Sequence, residues 1–122
     1  MTLRESGEMY LEDILVLSRQ KEHVRSIDIV NMTGYSKPSV SRAVNLLKKS
    51  GYLFIDSDGY LTLSDSGREI AEMIYERHTI LAEVLENIGV PHELAVADAC
   101  KIEHDISPET FDAIKNHIKE HS

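Results

Sequence analysis

Six side chains in this sequence could hold a metal ion, and five of them fall into two helically spaced groups. Cys100, Glu103 and His104 stand at i, i+3 and i+4, which on a helix puts a thiolate, a carboxylate and an imidazole on one face. Met9 and Glu12 are three apart in the first helical segment, and His78 lies mid-face in a long one, next to Arg77. A soft sulfur, a hard oxygen and a borderline nitrogen together suit a first-row transition ion better than calcium or magnesium. Each residue also has a plainer reading. Met9 beside Leu11 can be core, Cys100 a buried small hydrophobe, and Glu103 with His104 a solvated helix end. Taken together they make one coherent ligand set spread over three helices, so that a shared metal would fix the angle between those helices. His23, His92, His117 and His121 are read as surface histidines. His117 and His121, at i and i+4, could take up metal adventitiously.

A second chemistry is concentrated between residues 34 and 55. This window contains no Asp or Glu and carries Lys37, Arg42, Lys48 and Lys49, so it is +4 while the remainder bears −12 of the net −8. A basic island in an acidic chain can direct DNA to one face while the rest repels it. Ser36, Lys37, Ser39, Ser41 and Arg42 are donors of the kinds that reach phosphates and base edges, and Pro38 offers an apolar contact for a thymine methyl. Arg42 is the leading base reader. The serines serve equally as helix caps, and for Ser36 capping and phosphate contact are compatible because helix N-termini attract anions. Lys48 and Lys49 divide between phosphate contact and plain solvation; Tyr60 is read as packing.

The elements that must position these groups follow from apolar periodicity. Residues from about Leu3 to Glu22 form an amphipathic first helix. Ser26 caps a short second helix through Met32, and Thr33-Gly34-Tyr35 makes a tight turn. Ser36 caps a third helix with Pro38 in its first turn and Val40, Val44 and Leu47 along one face, ending at Gly51. Tyr52 to Ile55 and Tyr60 to Leu63 read as two strands around Asp56-Ser57-Asp58-Gly59, a hairpin serving as a wing. Ser64 to Ile88 is the longest helical pattern and Gly89-Val90-Pro91 stops it. A further helix is predicted from about His92 to His104, and Ser107-Pro108-Glu109 starts a last one running to about Lys119. Helix, Gly turn, helix, hairpin is the order of a winged helix-turn-helix, whose second helix enters the major groove.

The sequence is 42% hydrophobic and 28% charged, without low-complexity blocks, so a packed fold is expected rather than disorder. The fold class is mainly α: a winged helix-turn-helix DNA-binding domain over 1–63, then an all-helical metal-binding and dimerisation domain over 64–122. No segment reads as a signal peptide or membrane span, and a single cysteine fits a reducing compartment, which makes cytoplasm the expected address, with no membrane partner. No organic cofactor is expected. Cys100 and His104 on adjacent turns of one helix make no obvious substrate pocket, and no Gly-rich oxyanion loop follows, so the expectation is that the chain is not an enzyme. The alternative to metal sensing is a winged-helix repressor that senses oxidation through Cys100.

The segments GEMYLED (7–13), SKPSVSRAVNLLKKSGYL (36–53), LTLSDSGREIA (61–71), RH (77–78) and ACKIEH (99–104) resemble the metal-dependent repressors related to diphtheria toxin repressor and the manganese transport regulator. ACKIEH followed by a Ser-Pro-capped helix is the most specific part. The resemblance implies a homodimer that binds a palindromic double-stranded operator when metal is loaded, repressing metal-uptake or metal-homeostasis genes. By match to the iron-responsive branch, Met9, Cys100, Glu103 and His104 form the primary site. By match to the manganese-responsive branch, Glu12 and His78 are further ligands, and Met9 and Cys100 stand where that branch has carboxylates. That exchange favours softer ions, so iron(II) is the expected effector and manganese(II) the next, with cobalt, nickel or zinc able to substitute in vitro. Two ancillary ligand positions of the iron branch fall on Ala82 and Val96, which cannot coordinate, although Glu83 or Glu12 could replace part of that site. Ending at Ser122, the chain resembles the short members without an SH3-like domain.

Overall fold

The computed structural model describes residues 5–121, so Leu3, the expected start of the first helix, lies outside the described residues, as does the side chain of His121. In order, the elements are α1 (Glu5–Gln20), α2 (Ser26–Thr33), α3 (Lys37–Lys49), β1 (Leu53–Ile55), β2 (Leu61–Leu63), α4 (Asp65–Asn87), α5 (His92–Ile102) and α6 (Pro108–His121). No helix among the described residues is long and apolar enough to cross a membrane. Two compact units result, residues 1–72 and 73–122, with α4 running through the division and giving its first turns to unit one.

Unit one is the winged helix-turn-helix. Leu11, Ile14 and Leu15 of α1 are spaced to share one face and are fully buried, as are Ile29 of α2 and Val40, Val44 and Leu47 of α3. The antiparallel hairpin pairs Leu53 with Leu63 and Ile55 with Leu61, while Phe54 faces Thr62 on the opposite side. Leu53, Leu61 and Leu63 close the core, whereas Phe54 is 61% exposed. This alternation is what a half-buried two-stranded ribbon requires. At the wing base, Tyr60 stacks on His23 with centroids 4.3 Å apart, and the Arg25 guanidinium lies 4.7 Å over the same ring.

Two helix starts show how local chemistry sets the boundaries. Ser36 caps α3 as expected, its Oγ accepting the Ser39 N–H at 3.2 Å, with Pro38 in the first turn. Ser26, the expected cap of α2, is instead inside the helix. Asp28 takes the capping role: its carboxylate accepts the Arg25 N–H at 2.8 Å and binds Lys21 Nζ at 2.6 Å. A carboxylate near a helix N-terminus also meets the favourable end of the helix dipole, which a serine hydroxyl does not exploit. The Lys21 hydrogen bond first, and the Arg25 N–H next, hold the Asp28 carboxyl below its ordinary value.

The entry to α4 is tied to the end of α3. Ser64 Oγ donates to the Gly51 carbonyl at 2.7 Å and accepts the Gly67 N–H at 3.1 Å, and the Ser64 N–H reaches the Tyr52 carbonyl at 3.1 Å. A Cβ at Gly67 would run into the Tyr52 carbonyl oxygen, so glycine is required by close approach.

Gly67→Ala is expected to cost about 1–3 kcal/mol of stability by forcing that backbone apart, measured by urea unfolding at neutral pH. Asp28→Asn should cost about 0.5–1 kcal/mol at neutral pH after solvent screening. Because the folded carboxyl titrates lower than the unfolded one, its contribution is present above the ordinary value of 3.8 and lost as pH falls through the lowered value. The cost of Asp28→Asn should therefore shrink on acidification; a cost that does not change with pH contradicts this assignment.

Candidate metal centre and reading face

In unit two the core is small. Leu81 and Ala82 of α4 and Ala99 of α5 are buried, with Val96, Ile106 and Ile114 packed against them. Ala82 and Val96 are therefore part of an apolar core. Ala95 and Ala99, one turn apart and both 0% exposed, form the buried face of α5 and carry its end inward.

That end differs from expectation. The sequence pattern runs the helix to His104, but α5 stops at Ile102 and Glu103 to Asp105 form a turn. Glu103 keeps right-handed helical angles and its N–H still reaches the Ala99 carbonyl at 3.0 Å, so its one-turn relation to Cys100 survives. The cause is Arg77. Its Nη1 donates to the Glu103 carbonyl at 3.1 Å and to the Ile106 carbonyl at 3.2 Å. A cation satisfying carbonyls at a helix C-terminus is also favourably placed in the helix dipole. The Arg77 residue is only 8% exposed, and its guanidinium lies 5.6 Å over the Phe111 ring. Arg77 is the functional residue that spacing arguments missed; its one signal was a cation inside the apolar stripe of α4.

The turn holds the Glu103 carboxylate at 0% exposure. Its Oε2 lies 2.9 Å from His78 Nδ1, and its Oε1 lies 3.3 Å from His104 Nε2 and accepts no hydrogen bond. The His104 side chain is 1% exposed and that of His78 24%. An ionised carboxylate in this position costs several kcal/mol unless positive charge and donors compensate it. Arg77 directs Nη1 at main-chain carbonyls. A buried carboxylate with an open oxygen, flanked by two imidazole nitrogens, fits a divalent transition ion by donor type. Cys100 is half-buried in the last turn of α5.

In unit one, Met9 and Glu12 are half-buried on successive turns of α1. Met9 lines a cavity of about 250 Å³ with Ser6, Tyr10, Tyr35, Ser36 and Ser39, beneath the N-terminus of α3. Tyr10 meets Tyr35 edge to face at 5.8 Å, and its phenol is pushed above the usual value, first by burial and then by Tyr35.

The residues expected to read DNA lie on the outer side of α3. Ser36 and Ser39 are tied to each other at 2.8 Å, and Lys37, Pro38, Ser41 and Arg42 are exposed. Ser41, Arg42, Asn45, Leu46 and Lys49 line a shallow groove of about 290 Å³. Of the remaining histidines, His92 pairs with Glu86 at 2.7 Å and His117 lines an apolar groove of about 480 Å³ with Val84, Ile88, Ala113, Ile114 and Ile118.

Comparison with known proteins gives two family models covering nearly the whole chain: iron dependent repressor, N-terminal DNA binding domain, over residues 2–64, and iron dependent repressor, metal binding and dimerisation domain, over 64–121. Among curated proteins, the HTH-type transcriptional regulator MntR of Lysinibacillus sphaericus is 32% identical over 114 residues, 93% of this chain and 82% of that protein. MntR of Geobacillus kaustophilus is 34% identical over 109 residues, 89% and 77%. Among solved structures, a manganese-dependent transcriptional repressor in complex with manganese superposes with a TM-score of 0.84 at 25% identity, covering 93% of this chain and 52% of that one. The manganese regulator SloR superposes at 0.83 and 23% identity, covering 98% and 55%, and supports the fold. The chain spans about half the length of these two solved structures.

Arg77→Lys retains the charge but loses the planar fork. It is expected to cost about 1–3 kcal/mol, and to raise hydrogen exchange selectively at residues 103–106 relative to unit one. Unchanged exchange in that turn would show that the guanidinium does not hold it.

Proposed function

We propose that this chain, which belongs to the iron-dependent repressor family of metal-dependent transcriptional repressors, is a manganese(II)-activated repressor that binds a palindromic operator as a homodimer. The observation that carries the metal reading is the buried Glu103 carboxylate, with Oε1 accepting no hydrogen bond, beside His78 and His104. The ligand set we assign is Met9 and Glu12 from α1, His78 from α4, Cys100 from α5, and Glu103 and His104 from the turn that follows. Bound there, a divalent cation supplies the positive charge that a buried carboxylate needs.

Manganese(II) is placed ahead of iron(II), which ligand softness alone would favour. Support comes from MntR relatives at 32% and 34% identity and from the manganese complex at 25%. Cobalt, nickel and zinc remain competitors on affinity grounds.

Ser36, Lys37, Pro38, Ser39, Ser41 and Arg42 read the operator in this assignment. Residues 1–63 form the reading head and 64–122 the dimerising part. An apolar groove along α4 and α6, together with Ile88 at 73% and Leu94 at 56% exposure, supplies surface for a second copy of the chain. Bound metal acts in this assignment as a corepressor, by favouring the DNA-binding arrangement of the dimer. The single cysteine and the absence of a spanning helix among the described residues are compatible with a cytoplasmic repressor.

The test is a pair of titrations, manganese(II) in buffer and iron(II) under anaerobic conditions, following affinity for duplexes selected from a random pool. Manganese should raise affinity by at least tenfold over chelator and raise the melting temperature. Glu103→Gln should abolish both responses, while its metal-free form is at least as stable as the parent, because a neutral amide is cheaper to bury than a lone carboxylate. Cys100→Asp should keep the metal response, which a thiol redox sensor would lose. Equal affinity with chelator and with metal would sink the proposal.

A further inference from the structure

We infer that Asn45 is a base-specifying residue that reads adenine in each half-site; this deepens the proposed operator binding and rests on it. Asn45 is exposed on α3, three residues after Arg42, on the turn following Ser41, and these residues line one groove with Leu46 and Lys49. The opposite side of the helix is committed to the core through Val40, Val44 and Leu47, so the groove side is the one left to meet DNA.

The amide is oriented. Asn45 Nδ2 donates to the Ser41 carbonyl at 2.9 Å, one turn back on the same helix. That bond uses one of the two amide hydrogens and fixes which end of the amide is nitrogen. What remains is one N–H donor and the Oδ1 acceptor. Adenine presents an acceptor, N7, beside a donor, the N6 amino group, in the major groove, and an amide answers both at once. Guanine offers two acceptors there, which suits the neighbouring Arg42 and leaves Asn45 Oδ1 opposed to O6. Leu46, 60% exposed although aliphatic, is an apolar neighbour suited to a thymine methyl.

The wing gives this helix little competition as a reader. At its tip, Asp56 Oδ1 accepts the Asp58 and Tyr60 N–H groups at 2.9 Å each, and Asp56 and Asp58 are both exposed, so the turn presents acidic residues where a phosphate contact would need a cation. Base discrimination therefore falls on α3.

The experiment selects binding sites from a randomised duplex pool with the full chain loaded with manganese(II), then repeats the selection with Asn45→Ala and Asn45→Asp. The parent should select an adenine at one position of each half-site. Asn45→Ala should flatten that position, and Asn45→Asp, which can only accept, should replace the adenine with cytosine, whose amino group donates. On the selected site, 7-deazaadenine at that position removes the N7 acceptor and should cost the parent about tenfold in affinity, but Asn45→Ala nothing further. If both variants select the parental motif, or the deaza substitution costs parent and Asn45→Ala equally, the assignment is overturned while operator binding stands. If the parent selects no motif, operator reading and this inference fall together.

Discussion

A carboxylate shut away from water has to be balanced, and Glu103 is the residue around which unit two is organised. Its side chain is 0% exposed and faces two imidazole nitrogens. Reaching that position requires α5 to come close with Ala95 and Ala99 on its buried face, and requires the chain to leave the helix at Ile102. Arg77 braces that exit by donating to the Glu103 and Ile106 carbonyls of the turn. Removing one half of a buried polar arrangement costs more than the arrangement contributes, because the other half is left desolvated. The guanidinium and the turn are therefore coupled through main-chain carbonyls, beside the small apolar core of Leu81, Ala82 and Ala99.

Unit one follows a different logic, in which packing and capping suffice. Its core joins α1, α2, α3 and the hairpin, and Ser64 ties the end of α3 to the start of α4 through three hydrogen bonds. Helix α3 consequently has a fixed setting within its own unit. The charge distribution agrees with this division of labour. The window free of acidic residues covers α3 and β1, and its cations project from the exposed side of α3, while at the wing tip one oxygen of Asp56 is used to shape the turn.

Much of this was legible in the sequence wherever the determining partner is local. Ser36 and Ser107 cap the helices they precede, by hydrogen bonds to residues three further on. Alternation in Leu53–Ile55 and Leu61–Leu63 fixes which face is buried, and the spacing of Val40, Val44 and Leu47 does the same for α3. What escaped depends on distant or competing partners. The turn after α5 is braced by Arg77, which lies 26 residues before Glu103, and no periodicity carries that information. Asp28 displaces Ser26 as the cap of α2 because Lys21 and the Arg25 N–H both favour its charge, a competition invisible when each residue is considered alone. Asn45 was passed over for a similar reason: an exposed amide carries no signal until its hydrogen bond to Ser41 fixes its orientation.

The metal preference turns on a division within the donor set. In the proposed ligand set Glu12, Glu103, His78 and His104 are hard or borderline donors that any divalent first-row ion accepts, so in that assignment they contribute more to the strength of binding than to its selectivity. Met9 and Cys100 are the soft members, and softness pulls toward ions beyond manganese in the affinity series, where manganese stands lowest. Under the proposed assignment, a chain with these donors that answers to manganese cannot obtain its selectivity from raw affinity. Selectivity must come from the requirement that bound metal also satisfy a particular geometry, because only a complex that favours the DNA-binding arrangement shifts the equilibrium toward it, however tightly other ions bind.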